Sequence, residues 1–252
     1  MIVAVSGAGG RMGSLVAQTV ADTTDLELGR LYDPRETGTV IAGVTVGDDP
    51  MALAGSAVVV EFTEPDVVME NLSTWRDLEM NAVVGTSGFD ASRVAALRKL
   101  WGSGPPNCLV VPNFSIGAVV MMRLSEIAAP HFAAAEVIEL HHDRKVDAPS
   151  GTAIATAERI ADHAHQHRAV ESEELIPGAR GADASGVPVH AVRLPGLVAH
   201  QQVLFGGVGE TLTIRHDTTD RSAFMPGVLT AIRAVGGLKD AVTVGLESVL
   251  GI

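Results

Sequence analysis

The sequence predicts an α/β fold: a doubly wound parallel sheet joined to a second, α+β domain with an open mixed or antiparallel sheet. Three observations carry this expectation. Short apolar runs alternate with helical patterns as far as Val111. A glycine cluster sits between the first apolar run and the first amphipathic segment. After PNFSIGAVV the rhythm changes to a succession of β-rich runs.

In order, residues 2–6 (IVAVS) form a buried-strand run, and an amphipathic helix follows the glycines to about residue 22. LELGRLYD is a second strand ending at Asp33, and AVVVEF, residues 57–62, is a third. PDVVMENLSTWRDLEM reads as a helix with Pro65 in its first turn, where the missing N–H is harmless. AVVG ending at Gly85, a helix over about 90–101 and CLVV at 108–111 continue the alternation. A long helix then spans about 115–133, AEVIELHH is a strand of alternating character, and a helix runs from Ser150 to about 166. PGARGADASG is a glycine-rich loop. PVHAVRL, LVAHQQVLFG and ETLTIRHD are strands, a last helix covers about 221–235, and AVTVGLESVL can return to the first domain.

Composition narrows the partners. A formal net charge of −12 argues against nucleic acid or an anionic membrane, both of which need a positive surface. Cys108 is the only cysteine, so neither an intrachain disulfide nor a cysteine-based zinc site can form. The N-terminus reads as a strand rather than a signal peptide, and no apolar run approaches the ~18 residues of a membrane span. A cytoplasmic protein is expected.

The loop VSGAGGRMG is Gly7-x-x-Gly10-x-x-Gly13, not the G-x-G-x-x-G of the usual dinucleotide fingerprint. It nevertheless lies between strand and helix, where a pyrophosphate meets backbone N–H groups and a helix dipole. With Asp33 ending the second strand as a ribose acceptor, the pattern points to a dinucleotide. The alternatives are a tight turn packing the helix closely, and Asp33 as a turn former before Pro34. FTEP, GTSGF and PNF also follow apolar strands. Thr63 or Glu64 is available to cap the helix begun by Pro65, whereas Gly85, Thr86 and Ser87 are expected to contact the cofactor.

ELHHDRKVDAPSGTA, residues 139–153, carries two histidines, Arg144 and Lys145 just before a helix start. Strand alternation sends His141 and His142 to opposite faces, so one site can use both only if the strand ends there and the chain turns. Ser150, Gly151 and Thr152 place N–H groups at a helix N-terminus, which beside these cations makes a carboxylate or phosphate pocket. A solvated loop with Ser150 as N-cap is the alternative. His163 and His167 could share a ligand face at i, i+4, but no third ligand is evident and no metal is expected.

VAVSGAGGRMG, EFTEPDVV, VVGTSGF, PNFSIGAV, ELHHDRKVDAPSGTA and DRSAFMPG together resemble the 4-hydroxy-tetrahydrodipicolinate reductase (dihydrodipicolinate reductase) family of lysine and diaminopimelate biosynthesis, from about residue 2 to residue 250. The HH…K…DAPSGT block is its specific mark. The resemblance implies a Rossmann-like dinucleotide-binding domain of residues 1–113 and 217–252, and a substrate-binding and oligomerisation domain of residues 114–216 that builds a homotetramer. It implies hydride transfer from NADH or NADPH to a cyclic dicarboxylate, with loss of water. By resemblance His141 and Lys145 are the acid/base pair, and His142, Gly151 and Thr152 bind substrate. Cofactor positions fall on Gly7, Ala8, Gly9, Gly10, Arg11, Met12, Asp33, Gly85, Thr86, Ser87, Val111, Pro112, Asn113 and Phe114. Two departures stand out: Ser87 replaces a usual threonine, and Asp143 puts a negative charge where arginine or proline is common. The competing readings are another dehydrogenase of the aspartate or homoserine kind, which lacks the HH…K…SGT block, and a non-catalytic dinucleotide sensor.

Overall fold

A computed structural model describes every residue except 166, 167, 169 and 171. The chain forms two compact units, Met1–Ile116 with Phe224–Ile252, and Gly117–Ala223.

The first unit opens with β1 (Ile2–Ser6), α1 (Arg11–Ala21) and β2 (Glu27–Tyr32). β3 (Val40–Ile41) and β4 (Val44–Gly47) follow as a hairpin that the sequence did not announce. Ala42 and Gly43, at its tip, both have positive φ. That geometry suits a two-residue hairpin but is usually signalled by Asn-Gly or Asp-Gly. Next come β5 (Val58–Glu61), α2 (Val68–Asp77), β6 (Asn81–Val84), α3 (Ala91–Trp101) and β7 (Cys108–Val110). α2 begins three residues after Pro65, which lies in a preceding turn where the Glu64 carbonyl accepts from the Val67 and Val68 amides.

The second unit is built from α4 (Ile116–Ala128), β8 (Ala134–His141), α5 (Gly151–His163), β9 (Ala182–Ala184), β10 (Val187–Arg193), β11 (Ala199–Gly207) and β12 (Glu210–Thr218). The expected long helix stops at Ala128 and tightens into a 3₁₀ turn that contains Pro130, which cannot continue the ladder. α5 ends at His163 rather than near residue 166. The expected glycine-rich loop contains β9, joined to β10 through Ser185 and Gly186, again both at positive φ. The chain then returns to the first unit through a 3₁₀ turn (Arg221–Phe224), α6 (Met225–Ala234), β13 (Val242–Val244) and α7 (Glu247–Leu250).

The first unit's sheet runs β13-β7-β6-β5-β1-β2-β4-β3 and is parallel except for β3. β1 lies between β2 and β5, so the strand order reverses there and leaves a crevice beyond the carboxyl ends. Strands buried on both faces need near-continuous apolar runs, and Val3–Val5, Val58–Val60 and Ala82–Val84 supply them. Leu72, Trp75, Met80, Leu97 and Trp101 fill the core against the sheet.

The second unit's sheet runs β12-β11-β8-β10-β9, with β8 and β10 parallel and the other pairs antiparallel, so it is mixed. Alternation is clean along β8: Ala135, Val137 and Glu139 are buried. Those side chains share the face on which α5 packs.

Candidate active site

In the first unit, the segments proposed for a cofactor converge on the carboxyl ends of β1, β2, β5, β6 and β7. Gly7 has φ +75°, and its N–H donates to the Tyr32 carbonyl at 2.8 Å. A side chain on Gly13 would overlap the Gly7 carbonyl, so glycine there lets α1 start hard against the loop. Gly85 is needed for a similar reason, because a Cβ would strike the Phe62 and Phe114 rings, which pack 5.6 Å apart. The Thr86 hydroxyl donates to the Thr63 carbonyl at 2.9 Å, while Ser87 is exposed. Val111 donates its N–H to Val84, Pro112 is exposed, and Asn113 Oδ1 accepts from the Ser115 N–H at 2.9 Å.

Asp33 serves both readings of the sequence. One carboxylate oxygen accepts from the Arg35 N–H at 3.1 Å, as a turn former would. The other accepts from the Gly9 N–H at 3.0 Å, which ties the end of β2 to the glycine loop. Neither Thr63 nor Glu64 caps α2 with its side chain. Glu64 forms a bidentate pair with Arg35, and the Thr63 hydroxyl donates to Glu61. Glu61 was not singled out in the sequence. It is fully buried, and the Trp75 indole N–H (2.8 Å) and the Thr63 N–H (2.9 Å) bind its carboxylate.

In the second unit, β8 ends at His141 and the chain turns, with the Lys145 N–H bonded to the His142 carbonyl at 3.1 Å. That turn meets the geometric condition for both histidines to serve one site. Ser150 is the N-cap of α5, its hydroxyl accepting from the Ala153 N–H at 3.2 Å. The Ser150 N–H is not free for a ligand, because it donates to Glu139 Oε1 at 3.0 Å. Gly151 is exposed, with nothing within 4 Å of where its Cβ would lie. Nδ1 of His142 is buried and has no hydrogen-bond partner among the described residues. Asp143 and Arg144 are exposed.

His141, Lys145 and Arg193 each meet a carboxylate within the chain. Lys145 Nζ lies 2.8 and 2.9 Å from the two carboxylate oxygens of Asp147. Glu139 is fully buried, and its oxygens bind the His141 ring at Nδ1 and both terminal nitrogens of Arg193, each 2.8 Å away. Arg193 also donates to the Asp147 carbonyl at 2.6 Å. Glu139, Asp147 and Arg193 were missed as site residues. A buried acid at an inward position of an alternating strand, two residues before His141, was the available signal for Glu139.

His163 Nδ1 is 2.8 Å from the Arg159 carbonyl of its own helix, and His167 lies outside the described residues. Among the described residues no cluster of three His, Cys, Asp or Glu side chains is placed to hold a metal ion.

Family comparisons meet this geometry over the whole chain. The family described as "Dihydrodipicolinate reductase, N-terminus" matches residues 1–114, and "Dihydrodipicolinate reductase, C-terminus" matches residues 117–250. The chain belongs to the dihydrodipicolinate reductase family. Relatives named 4-hydroxy-tetrahydrodipicolinate reductase include those of Cutibacterium acnes, 49% identical over 99% of this chain and 98% of the relative, and Thermobifida fusca, 50% identical over 99% of each. A dipicolinate-bound dihydrodipicolinate reductase from Paenisporosarcina sp. TG-14 is 37% identical and covers 98% of both chains, with a TM-score of 0.87. Likeness to an aspartate semialdehyde dehydrogenase from Vibrio cholerae, 12% identical with a TM-score of 0.56, shows shared fold alone.

Dihydrodipicolinate reductases are pyridine-nucleotide-dependent, and the first unit fits such a group. The first turn of α1 contains no acidic side chain, Gly10 and Arg11 are exposed, and Gly13 keeps the helix start close to the loop. A pyrophosphate there would face backbone N–H groups and the positive helix end.

The buried carboxylate sets an acid limit on stability. Burial alone would raise the Glu139 pKa, but hydrogen bonds from His141 and Arg193 outweigh it and hold the group at about 2, below its ordinary 4.5. A depressed carboxylate pKa stabilises the fold above the unfolded value, and that stabilisation is lost as pH falls toward the folded one. Unfolding free energy should therefore drop by about 3 kcal/mol between pH 4.5 and 2 on account of Glu139. Denaturant titrations across that range check this, and Glu139→Gln should flatten the slope.

Proposed function

We propose that this chain reduces 4-hydroxy-tetrahydrodipicolinate to tetrahydrodipicolinate, with loss of water, at the expense of NADH or NADPH, in the cytoplasmic synthesis of diaminopimelate and lysine. The observation that carries the reading is the folded HH…K…DAPSGT block. It sets His141, Lys145 and the exposed Gly151 at one strand-turn-helix junction, in a chain about half identical to named reductases. In this reading the first unit binds the dinucleotide and the second the dicarboxylate. His141 and Lys145 hold and move the proton, while His142, Gly151 and Thr152 bind carboxylate oxygen. The bound nicotinamide supplies the hydride. NAD(P)H oxidation should follow when aspartate semialdehyde and pyruvate are given together with the synthase that precedes this step. No oxidation beyond the synthase-free control would sink the assignment.

Cofactor choice follows from Asp33 and Arg35. Asp33 favours free ribose hydroxyls and repels a 2′-phosphate. Arg35 or Arg11 could offset that repulsion, and Arg35 pairs at the surface with Glu64 through both terminal nitrogens. Both cofactors should be accepted, with NADH at least as good, and Glu64→Ala should improve kcat/KM for NADPH more than for NADH. Steady-state kinetics with each cofactor decide it; a strong wild-type preference for NADPH would refute the role given to Asp33.

A homotetramer is part of the same reading. Ile138, Leu140, Val192 and Leu204 lie on the face of the five-stranded sheet opposite α5 and are only half-buried within one chain. Glu136, His190 and Gln202 share that face, and a half-buried surface of mixed character gains by packing on another copy. Sedimentation equilibrium tests it, and a monomer would argue against it.

A further inference from the structure

The structure assigns Glu139 and Arg193 to the site as positioning residues: we propose that they hold the His141 ring in one tautomer and pin the loop that carries Lys145. This rests on the reading above, in which His141 exchanges the proton.

Glu139 gathers donors from three segments that are remote in the chain. It binds the ring two residues ahead on β8, the guanidinium at the end of β10, and the Ser150 N–H at the start of α5. Arg193 is opposite His141 in the β8–β10 register, so strand pairing itself delivers the guanidinium. From there its second nitrogen reaches the Asp147 carbonyl, two residues beyond Lys145. One ion pair on a buried carboxylate thus connects the imidazole, the loop and the helix start.

The chemistry of the pair dictates the tautomer. With two nitrogens of Arg193 on it, the carboxylate is held ionised, and an ionised carboxylate can only accept hydrogen bonds. Nδ1 of His141 must then carry a proton, which leaves Nε2 to take up or release the proton used in the reaction. A purely structural Glu139–Arg193 pair would serve as well with an apolar residue at 141, and kcat would not depend on the ring tautomer.

The test combines spectroscopy with kinetics. In ¹⁵N-histidine NMR of the wild-type enzyme, at a pH where the ring is neutral, His141 should show a protonated Nδ1 and a bare Nε2; His141→Ala assigns the signals. In Glu139→Gln the amide N–H can donate to Nδ1, so the ring should shift toward the Nε2–H form. Its kcat should fall about 10- to 100-fold, as is usual when a supporting hydrogen-bond partner is lost. NADH and dipicolinate affinities should change little, which separates loss of positioning from loss of the fold. A wild-type ring protonated on Nε2, or a folded Glu139→Gln enzyme with wild-type kcat, overturns the proposal. Should Glu139→Gln not fold, the wild-type tautomer still decides. Failure of the underlying reading looks different: wild-type enzyme without turnover, or His141→Ala with full kcat, removes the proton role of His141 whatever its tautomer.

Discussion

Lys145→Ala should lower kcat by about 10²- to 10⁴-fold, the range for loss of a positioned acid. Once the 4-hydroxy substrate has lost water, hydride addition to the resulting conjugated cyclic imine leaves electron density on the ring, and a proton must follow. An ammonium can give that proton, and its charge steadies the developing anion beforehand. In the structure Lys145 rests on Asp147, whose side chain is 59% exposed. Such an exposed partner holds weakly, so a substrate carboxylate can take its place. Arg144 is a poorer donor because a guanidinium scarcely gives up its proton. His141→Ala should also reduce kcat, though less where water can substitute. NADH affinity should survive both changes, since the glycine loop belongs to the other unit. Folded Lys145→Ala enzyme with near-wild-type kcat would falsify the assignment.

Gly151→Val should raise the substrate KM and the dipicolinate Kd by about 10- to 100-fold, the equivalent of losing one or two hydrogen bonds to a charged group. The usual objection to such a variant is a damaged fold. Here a Cβ at Gly151 meets nothing within 4 Å beyond its chain neighbours and its own helix backbone, so the added bulk has open space to enter and competes there with a carboxylate. Helix α5 keeps its Ser150 cap, and a β-branched residue at the first helical position costs little. Dipicolinate titration alongside NADH titration separates the causes. If both affinities fell together, Gly151 would be a structural residue rather than a carboxylate contact.

Much of the first unit was legible because its signals are local. Val3–Val5, Val58–Val60 and Ala82–Val84 are buried on both faces and read as continuous apolar runs. The glycine spacing is equally local, since Gly13 must clear the Gly7 carbonyl six residues earlier. The β3–β4 and β9–β10 hairpins escaped for the converse reason. Ala42-Gly43 and Ser185-Gly186 carry no strong turn signal, and their left-handed conformations are held by pairing of the flanking strands.

By itself the sequence determined the alternation that makes the parallel sheet, the glycine loop with Asp33 at the next strand end, and the block that places His141, Lys145 and Gly151 within one turn and helix start. Each depends on residues a few positions apart, where backbone geometry leaves few options. Only the tertiary structure decided that the acid beside His141 is shared with an arginine from another strand. Glu139 meets Arg193 across 54 residues, because β10 pairs with β8 in the one register that sets Arg193 beside His141. Register is chosen by the burial of whole strand faces, a sum over many contacts, so no local stretch of sequence announces it.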